Sequence, residues 1–142
     1  MDAIIIPNMP FEEKAEMEEP ANAHNVALIS MIAPTSEERI QMIAKEEKGF
    51  IYVVSSMGVT GVRSEIKTDL GAIVESIRKV TDVPCAIGFG ISTPEQAKAM
   101  ASVSDGSIVG SAIVKIIAKY GTEAAPELYK YVKSMKDAVG EA

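Results

Sequence analysis

The sequence predicts an α/β fold of parallel βα repeats within one domain, residues 1–142. Two observations predict it. Short apolar runs of strand length alternate with longer segments of helical period from one end of the chain to the other. Three of the five runs also leave through glycine-bearing turns, Gly58-Val59-Thr60-Gly61, Gly88-Phe89-Gly90 and Gly110-Ser111. Parallel strands point their C-terminal ends one way, so those turns belong on one side of the sheet.

The first strand is predicted over Ala3 to Ile6, closed by Pro7-Asn8-Met9-Pro10, with an acidic helical segment from Phe11 to about Ala23 in which Pro20 kinks or restarts the helix. Val26 to Ile32 reads as the second strand. After Pro34, Thr35 or Ser36 caps a helix reaching Lys48, with Glu37 or Glu38 near its third position, an apolar stripe of Ile40, Ile43 and Ala44, and Gly49 as its stop. Phe50 to Ser55 is the third strand. A long loop from Ser56 to Ile66 precedes a helix from about Thr68 to Val80, and loops of that length in compact domains are often functional. Cys85 to Phe89 is the fourth strand, running through Gly90-Ile91-Ser92 into a helix with Thr93 as cap and Pro94 in its first turn. Ser107 to Val109 is the fifth, leading almost without a loop into a helix from Ser111 to Lys119. A last helix spans Ala124 to about Val139, and no linker or composition shift divides the chain.

Composition narrows the function classes. A net charge of −6 with no basic cluster repels phosphate backbones and anionic lipid, so neither nucleic acid nor a membrane surface is expected as a partner. No apolar run approaches the ~20 residues of a membrane helix, and Ala3-Ile4-Ile5-Ile6 is neither anchor nor signal peptide. The single cysteine, Cys85, lies in an apolar run and reads as a buried structural thiol, which suits a reducing cytoplasmic setting.

The glycine turns carry the chemistry. Glycine permits the close backbone approach and positive φ of a phosphate cradle, and Gly110-Ser111 opens a helix whose free N–H groups and positive dipole end face the same place. Such a terminus contributes roughly 0.3 to 2 kcal/mol towards an anion. In eight-stranded α/β barrels the phosphate is often held by the loops after the last two strands and a short helix, which is the arrangement that Gly90 and Gly110 to Ile113 provide.

The residues also resemble a family. Tyr52-Val53-Val54-Ser55 with Gly58-Val59-Thr60-Gly61, then Gly88 to Gln96, then Gly106 to Ile117, closely resemble the α subunit of tryptophan synthase in residues, order and spacing, and the opening Ile6 to Glu13 looks like that family's fourth strand and its turn. The resemblance implies the C-terminal five-strand portion of a TIM (β/α)8 barrel, a single partial-barrel domain, from a lyase of tryptophan biosynthesis. That lyase cleaves indole-3-glycerol phosphate to indole and glyceraldehyde 3-phosphate. It implies no metal or organic cofactor on this chain, pyridoxal phosphate residing on a partner β subunit. Carried over position by position, the phosphate ligands are Gly61, Gly90, Gly110 and Ser111. Ile5, Met31, Val54, Phe89 and Ile108 line the indole pocket, Thr60 sits in a lid, and Tyr52 supports the acid–base work.

The departures set a limit. The family's catalytic glutamate and aspartate lie on the second strand and its following loop, and the resemblance starts at the fourth strand, so both fall outside this chain; Asn8 stands where many members carry an aspartate. Of the acidic residues present, Glu12, Glu13, Glu16, Glu18 and Glu19 read as a solvated helix face and His24 as a helix-end residue, leaving Glu65 in the long loop as the one acid with an approach. The isolated chain is therefore expected to bind phosphate without turnover, and its open strand edges to associate with a second copy or an N-terminal half. Two other readings stand beside this one. One is a different phosphate-binding barrel lyase or isomerase; the other is a non-catalytic flavodoxin-like module with an open five-stranded sheet.

Overall fold

The computed structural model describes residues 1–55, 63–88 and 90–142, with the backbone alone over 63–69. Strands β1 (Ala3–Ile5), β2 (Ala27–Ile29), β3 (Met31–Ile32), β4 (Ile51–Val54), β5 (Cys85–Gly88) and β6 (Gly106–Ile108) alternate with helices α1 (Lys14–Ala23), α2 (Glu37–Ala44), α3 (Arg63–Arg78), α4 (Pro94–Ala101) and α5 (Ser111–Tyr120); α6 (Ala125–Gly140) closes the chain. Every pairing is parallel, β1 with β2, then β3, β4, β5 and β6 in order. Because β2 and β3 are one strand interrupted at Ser30, the spatial order follows the chain order throughout. A flavodoxin-like sheet reverses direction at a switch point, with order 2-1-3-4-5. Among the described residues no such reversal occurs, so the arrangement is that of a barrel segment and the flavodoxin-like reading is set aside.

Burial follows the strand period of two. Ile32, Ile51, Val53, Cys85 and Ile87 are fully buried beneath Ile40, Ile43 and Ala44 of α2 and Leu70, Ile73, Val74 and Ile77 of α3. The alternate residues Met31, Tyr52, Val54 and Ala86 stay partly exposed on the other face. Among the described residues, helices thus cover one side of these strands. A second cluster, Ile91, Ala97 and Met135, joins α4 and α6 and takes in Tyr131 and Val139.

The element ends differ from the sequence reading in four places. The restart at Pro20 does not occur, for α1 runs through it to Ala23 and stops at Asn25, whose φ of 54° is left-handed. A proline removes one backbone donor, and this helix continues past the loss. The strand expected over Val26 to Ile32 breaks at Ser30 because the Ser30 N–H donates to the Glu47 carboxylate at 2.9 Å instead of to a neighbouring strand. Helix α2 ends at Ala44, well short of Lys48, and its third position is Arg39, which donates to the Ser36 cap without forming a reciprocal box. Helix α3 begins at Arg63, inside the segment read as loop, of which Ser56 to Val62 lie outside the described residues.

Asp105 fastens the lower end of the sheet. Its carboxylate accepts from the Cys85 N–H at 2.8 Å and from Arg78 at 3.0 Å, while its own N–H donates to the Cys85 carbonyl at 2.9 Å. Cys85 is wholly buried there, and burial, aided by the Asp105 charge and partly offset by Arg78, pushes its thiol up to about 11. A thiol reagent should therefore label the native chain only as fast as it unfolds. A folded-state pKa raised above the unfolded value, about 8.5, means that stability is complete below pH ~8.5 and falls as the thiol ionises towards 11. Urea unfolding across that window should show the decline, and Cys85→Ala should flatten it.

Candidate functional site

The C-terminal ends of β4, β5 and β6 lie together. Ser55, just past β4, donates its N–H and its hydroxyl to the Gly88 carbonyl at 3.0 and 2.9 Å, and β5 aligns Gly88 with Ile108 of β6. Gly90 and Gly110 each follow two residues beyond that aligned pair, on neighbouring strands. Gly90 has φ +75°, is exposed, and has no atom within 4 Å of where a Cβ would stand.

The turn after Gly90 is fixed on both sides. Ile91 is buried against Ala97 and Met135. The Thr93 and Gln96 side chains form a reciprocal cap at the start of α4, and Gln96 Oε1 also accepts from the Ser92 N–H at 2.9 Å. From α6 the Tyr131 hydroxyl donates to the Ser92 carbonyl at 2.9 Å. A turn held this way leaves little freedom around Gly90. One strand over, Gly110 precedes the ten-residue α5, and Gly110 and Ser111 are both exposed. The first N–H groups of a helix have no partner within it and carry its positive dipole end. Two glycine turns and one helix N-terminus therefore occupy one end of the sheet, an arrangement suited to an oxyanion.

Below that end, on the side away from α2 and α3, register aligns Met31 with Tyr52 with Ala86 with Gly106, and Val54 with Gly88 with Ile108. Tyr52 leans across onto β5, where a Cβ on Gly88 would stand 2.2 Å from its hydroxyl oxygen. Partial burial pushes the phenol up, which keeps it protonated and a donor at neutral pH. No carboxylate occurs in these two rows.

Of the residues singled out in the sequence, Gly90, Gly110 and Ser111 share the strand ends, and Met31, Tyr52, Val54 and Ile108 share the face. Ile5 stands on β1 in register with Ile29, beyond the break at Ser30, and is exposed. Gly61, Thr60 and Phe89 lie outside the described residues, as does the Glu65 side chain. His24 donates its N–H to the Ala21 carbonyl at the end of α1. The acidic residues of α1 and its preceding turn stand on the surface, with Glu12 paired to Arg39 at 2.8 Å.

Sequence reasoning missed one cluster. Glu47, after α2, is buried and accepts from the Ser30 N–H, the Ser30 hydroxyl and Lys14 Nζ. Lys14 and Ser30 also line a cleft of about 210 Å3 with Pro7, Met9, Phe11 and Met31. Among five charged residues within Lys45 to Glu47 and Lys14 to Glu16, nothing in residue type marks the buried pair.

These features define a class: a segment of a parallel α/β barrel whose strand C-terminal ends carry two glycine turns and a helix N-terminus. The profile described as tryptophan synthase alpha chain matches residues 1–140. The chain belongs to the tryptophan synthase alpha chain family. It is 48% identical over 136 residues to the alpha chain of Lacticaseibacillus casei and 50% identical over 137 residues to that of Lactiplantibacillus plantarum, covering 96% of this chain and 51% and 52% of theirs. Among solved structures, the alpha subunit from Campylobacter jejuni superposes with TM-score 0.84 at 34% identity, covering 95% of this chain and 54% of that one. The Pyrococcus furiosus structure described for mutual activation of the tryptophan synthase α2β2 complex does so with TM-score 0.79 at 31% identity, covering 96% and 56%. The chain thus spans about half the length of the relatives it matches. Among the described residues no helix is long and apolar enough to cross a membrane.

Proposed function

We propose that this chain carries the phosphate and indole side of an indole-3-glycerol phosphate site, within a lyase that yields indole and glyceraldehyde 3-phosphate. The observation that supports it is the joint exit of the Gly90 and Gly110-Ser111 turns at one end of the sheet, directly above a face of Met31, Val54 and Ile108. Gly61 would complete the phosphate cradle, and Ile5, Thr60 and Phe89 the indole pocket. The phosphate would take backbone N–H donors and the dipole end of α5, with Ser111 adding a hydroxyl. The flat indole would lie against the apolar face.

Tyr52 would serve as a neutral donor beside the reacting end. Cleavage of the carbon–carbon bond requires protonation of the indole carbon and removal of a hydroxyl proton, and both tasks call for general acids and bases. With no carboxylate in the strand rows, those groups would come from the barrel strands that the resemblance places outside this chain, and the chain alone would bind without turnover. Partners under this reading are a β subunit that receives indole and bears the pyridoxal phosphate; the chain itself needs no cofactor for acid–base cleavage. A cytoplasmic location follows from the same reading.

Titration with glycerol 3-phosphate, followed by NMR, tests the cradle. Saturable binding should be weakened roughly tenfold, about 1.4 kcal/mol, by Ser111→Asp, which sets a like charge at the helix terminus. Gly90→Val should weaken it as well, because a β-branched residue resists φ +75°. Binding unchanged in both variants would overturn the cradle. Indole release restored on adding a fragment with the remaining barrel strands tests the reaction.

A further inference from the structure

We propose, resting on the phosphate reading above, that Tyr131 of α6 is a positioning residue for the anion. It sets the Gly90 turn against the Gly110-Ser111 turn by way of the backbone. Three observations carry this. First, one face of α6 supports both turns. Tyr131, Met135 and Val139 recur every four residues and so share that face. They pack into one cluster with Ile91 and Val109. Ile91 directly follows Gly90 and Val109 directly precedes Gly110, so the residues flanking the two turns rest on a common support.

Second, the Tyr131 hydroxyl completes the restraint of one peptide group. Between Ser92 and Thr93, the carbonyl accepts from that hydroxyl at 2.9 Å and the N–H donates to Gln96 Oε1 at 3.1 Å. The Ser92 N–H, one peptide nearer Gly90, donates to the same Gln96 oxygen at 2.9 Å. Gln96 belongs to α4, the helix that this turn opens. Tyr131 ties the turn to a different helix, 39 residues further along the chain.

Third, Tyr131 reaches the neighbouring strand and helix as well. Its side chain borders two clefts, one shared with Ile116 and the other with Val109 and Ile113. Ile113 and Ile116 stand in the first two turns of α5, just beyond Ser111. Tyr131 therefore stands between the strand end that leads into α5 and the turn that leads into α4. A cradle of backbone N–H groups gains affinity when its donors are already aimed, because ordering them on binding is costly. The hydroxyl is one of several ties between α4 and α6, Ala97 against Met135 and Lys98 to Glu141 at 3.0 Å being others. Its loss should thus be felt in anion binding more than in folding.

Tyr131→Phe keeps the ring and deletes the hydroxyl. In NMR titrations of the 142-residue chain with glycerol 3-phosphate, this variant should bind about three- to tenfold more weakly than the parent, the range for one net hydrogen bond. Without ligand, its Ser92 carbonyl carbon signal should move, reporting the lost bond, and the Gly90 amide signal should move with it. Ile77→Val is the stability control, since Ile77 is fully buried in the other apolar cluster, beneath α3. It should lower the urea midpoint at least as much as Tyr131→Phe and leave binding unchanged. Equal binding by the parent and Tyr131→Phe, an unmoved Gly90 signal, or equal weakening by Ile77→Val each overturns the role of Tyr131 while the cradle stands. A parent chain that does not bind glycerol 3-phosphate overturns the cradle, and the role of Tyr131 with it.

Discussion

Glu47→Ala is expected to lower the unfolding free energy by about 3–5 kcal/mol, the range for breaking a buried charge pair by removing one partner. The carboxylate side chain has no solvent exposure and that of Lys14 has 5%. Truncation leaves the Lys14 ammonium in a site already cleared of water, and it strips the Ser30 N–H and hydroxyl of their acceptor. An orphaned N–H alone costs about 1–3 kcal/mol. The loss also reaches the site, because the Ser30 carbonyl accepts from the Tyr52 N–H at 3.2 Å and Ser30 precedes Met31. Glu47→Gln keeps an acceptor for Ser30 while discarding the charge, so it should cost less than Ala. Lys14→Met combined with Glu47→Gln should recover part of the loss, since no uncompensated charge remains. Urea denaturation of the four proteins measures all of this. A Glu47→Ala change within 1 kcal/mol of the parent would show that the cluster does not hold the strand break.

The same cluster marks where sequence reading stops. The strands were legible because Ile51, Val53, Cys85 and Ile87 sit in short apolar runs with glycine or proline nearby. The unbroken alternation with helices predicted parallel βα units but fitted a flavodoxin-like order as well as a barrel, which only the family resemblance favoured. The α4 start was legible in Thr93 followed by Pro94, whereas the reciprocal partner Gln96 was not singled out. Glu47 was not, because an acidic residue between Glu46 and Lys48 has the composition of a solvated helix end. Its burial arises from where α1 and the second strand bring Lys14 and Ser30, 33 and 17 residues away along the chain. For the same reason the single strand predicted over Val26 to Ile32 became two.

At the site, residue types pointed to glycine turns and a tyrosine, but not to their interdependence. Tyr131 illustrates this further: it lies 39 residues from Ser92 and steadies the Gly90 turn through one hydrogen bond. Periodicity marks it only as part of a helix face.

Gly88→Ala is expected to cost about 1–3 kcal/mol, the range for overpacking a filled site, although alanine is among the smallest changes possible. The ideal Cβ would fall 2.2, 2.5 and 2.7 Å from the Tyr52 hydroxyl oxygen, Cζ and Cε1, all inside contact distance. The Tyr52 ring has two side-chain torsions, and its backbone is pinned by β3 and β5, so it must leave the face rather than shift slightly. Gly88 has no positive φ, so the requirement is for space and not for an unusual backbone. That distinction makes the prediction separable. In a Tyr52→Ala background the obstructing ring is gone, and Gly88→Ala should become nearly neutral, giving a coupling of at least about 1 kcal/mol in a double-mutant cycle. Tyr52→Phe should remove only the 2.2 Å contact and give an intermediate cost. Additive losses in the cycle would mean that Gly88 and Tyr52 are not packed together, and the donor role proposed for Tyr52 would lose its fixed position over β5.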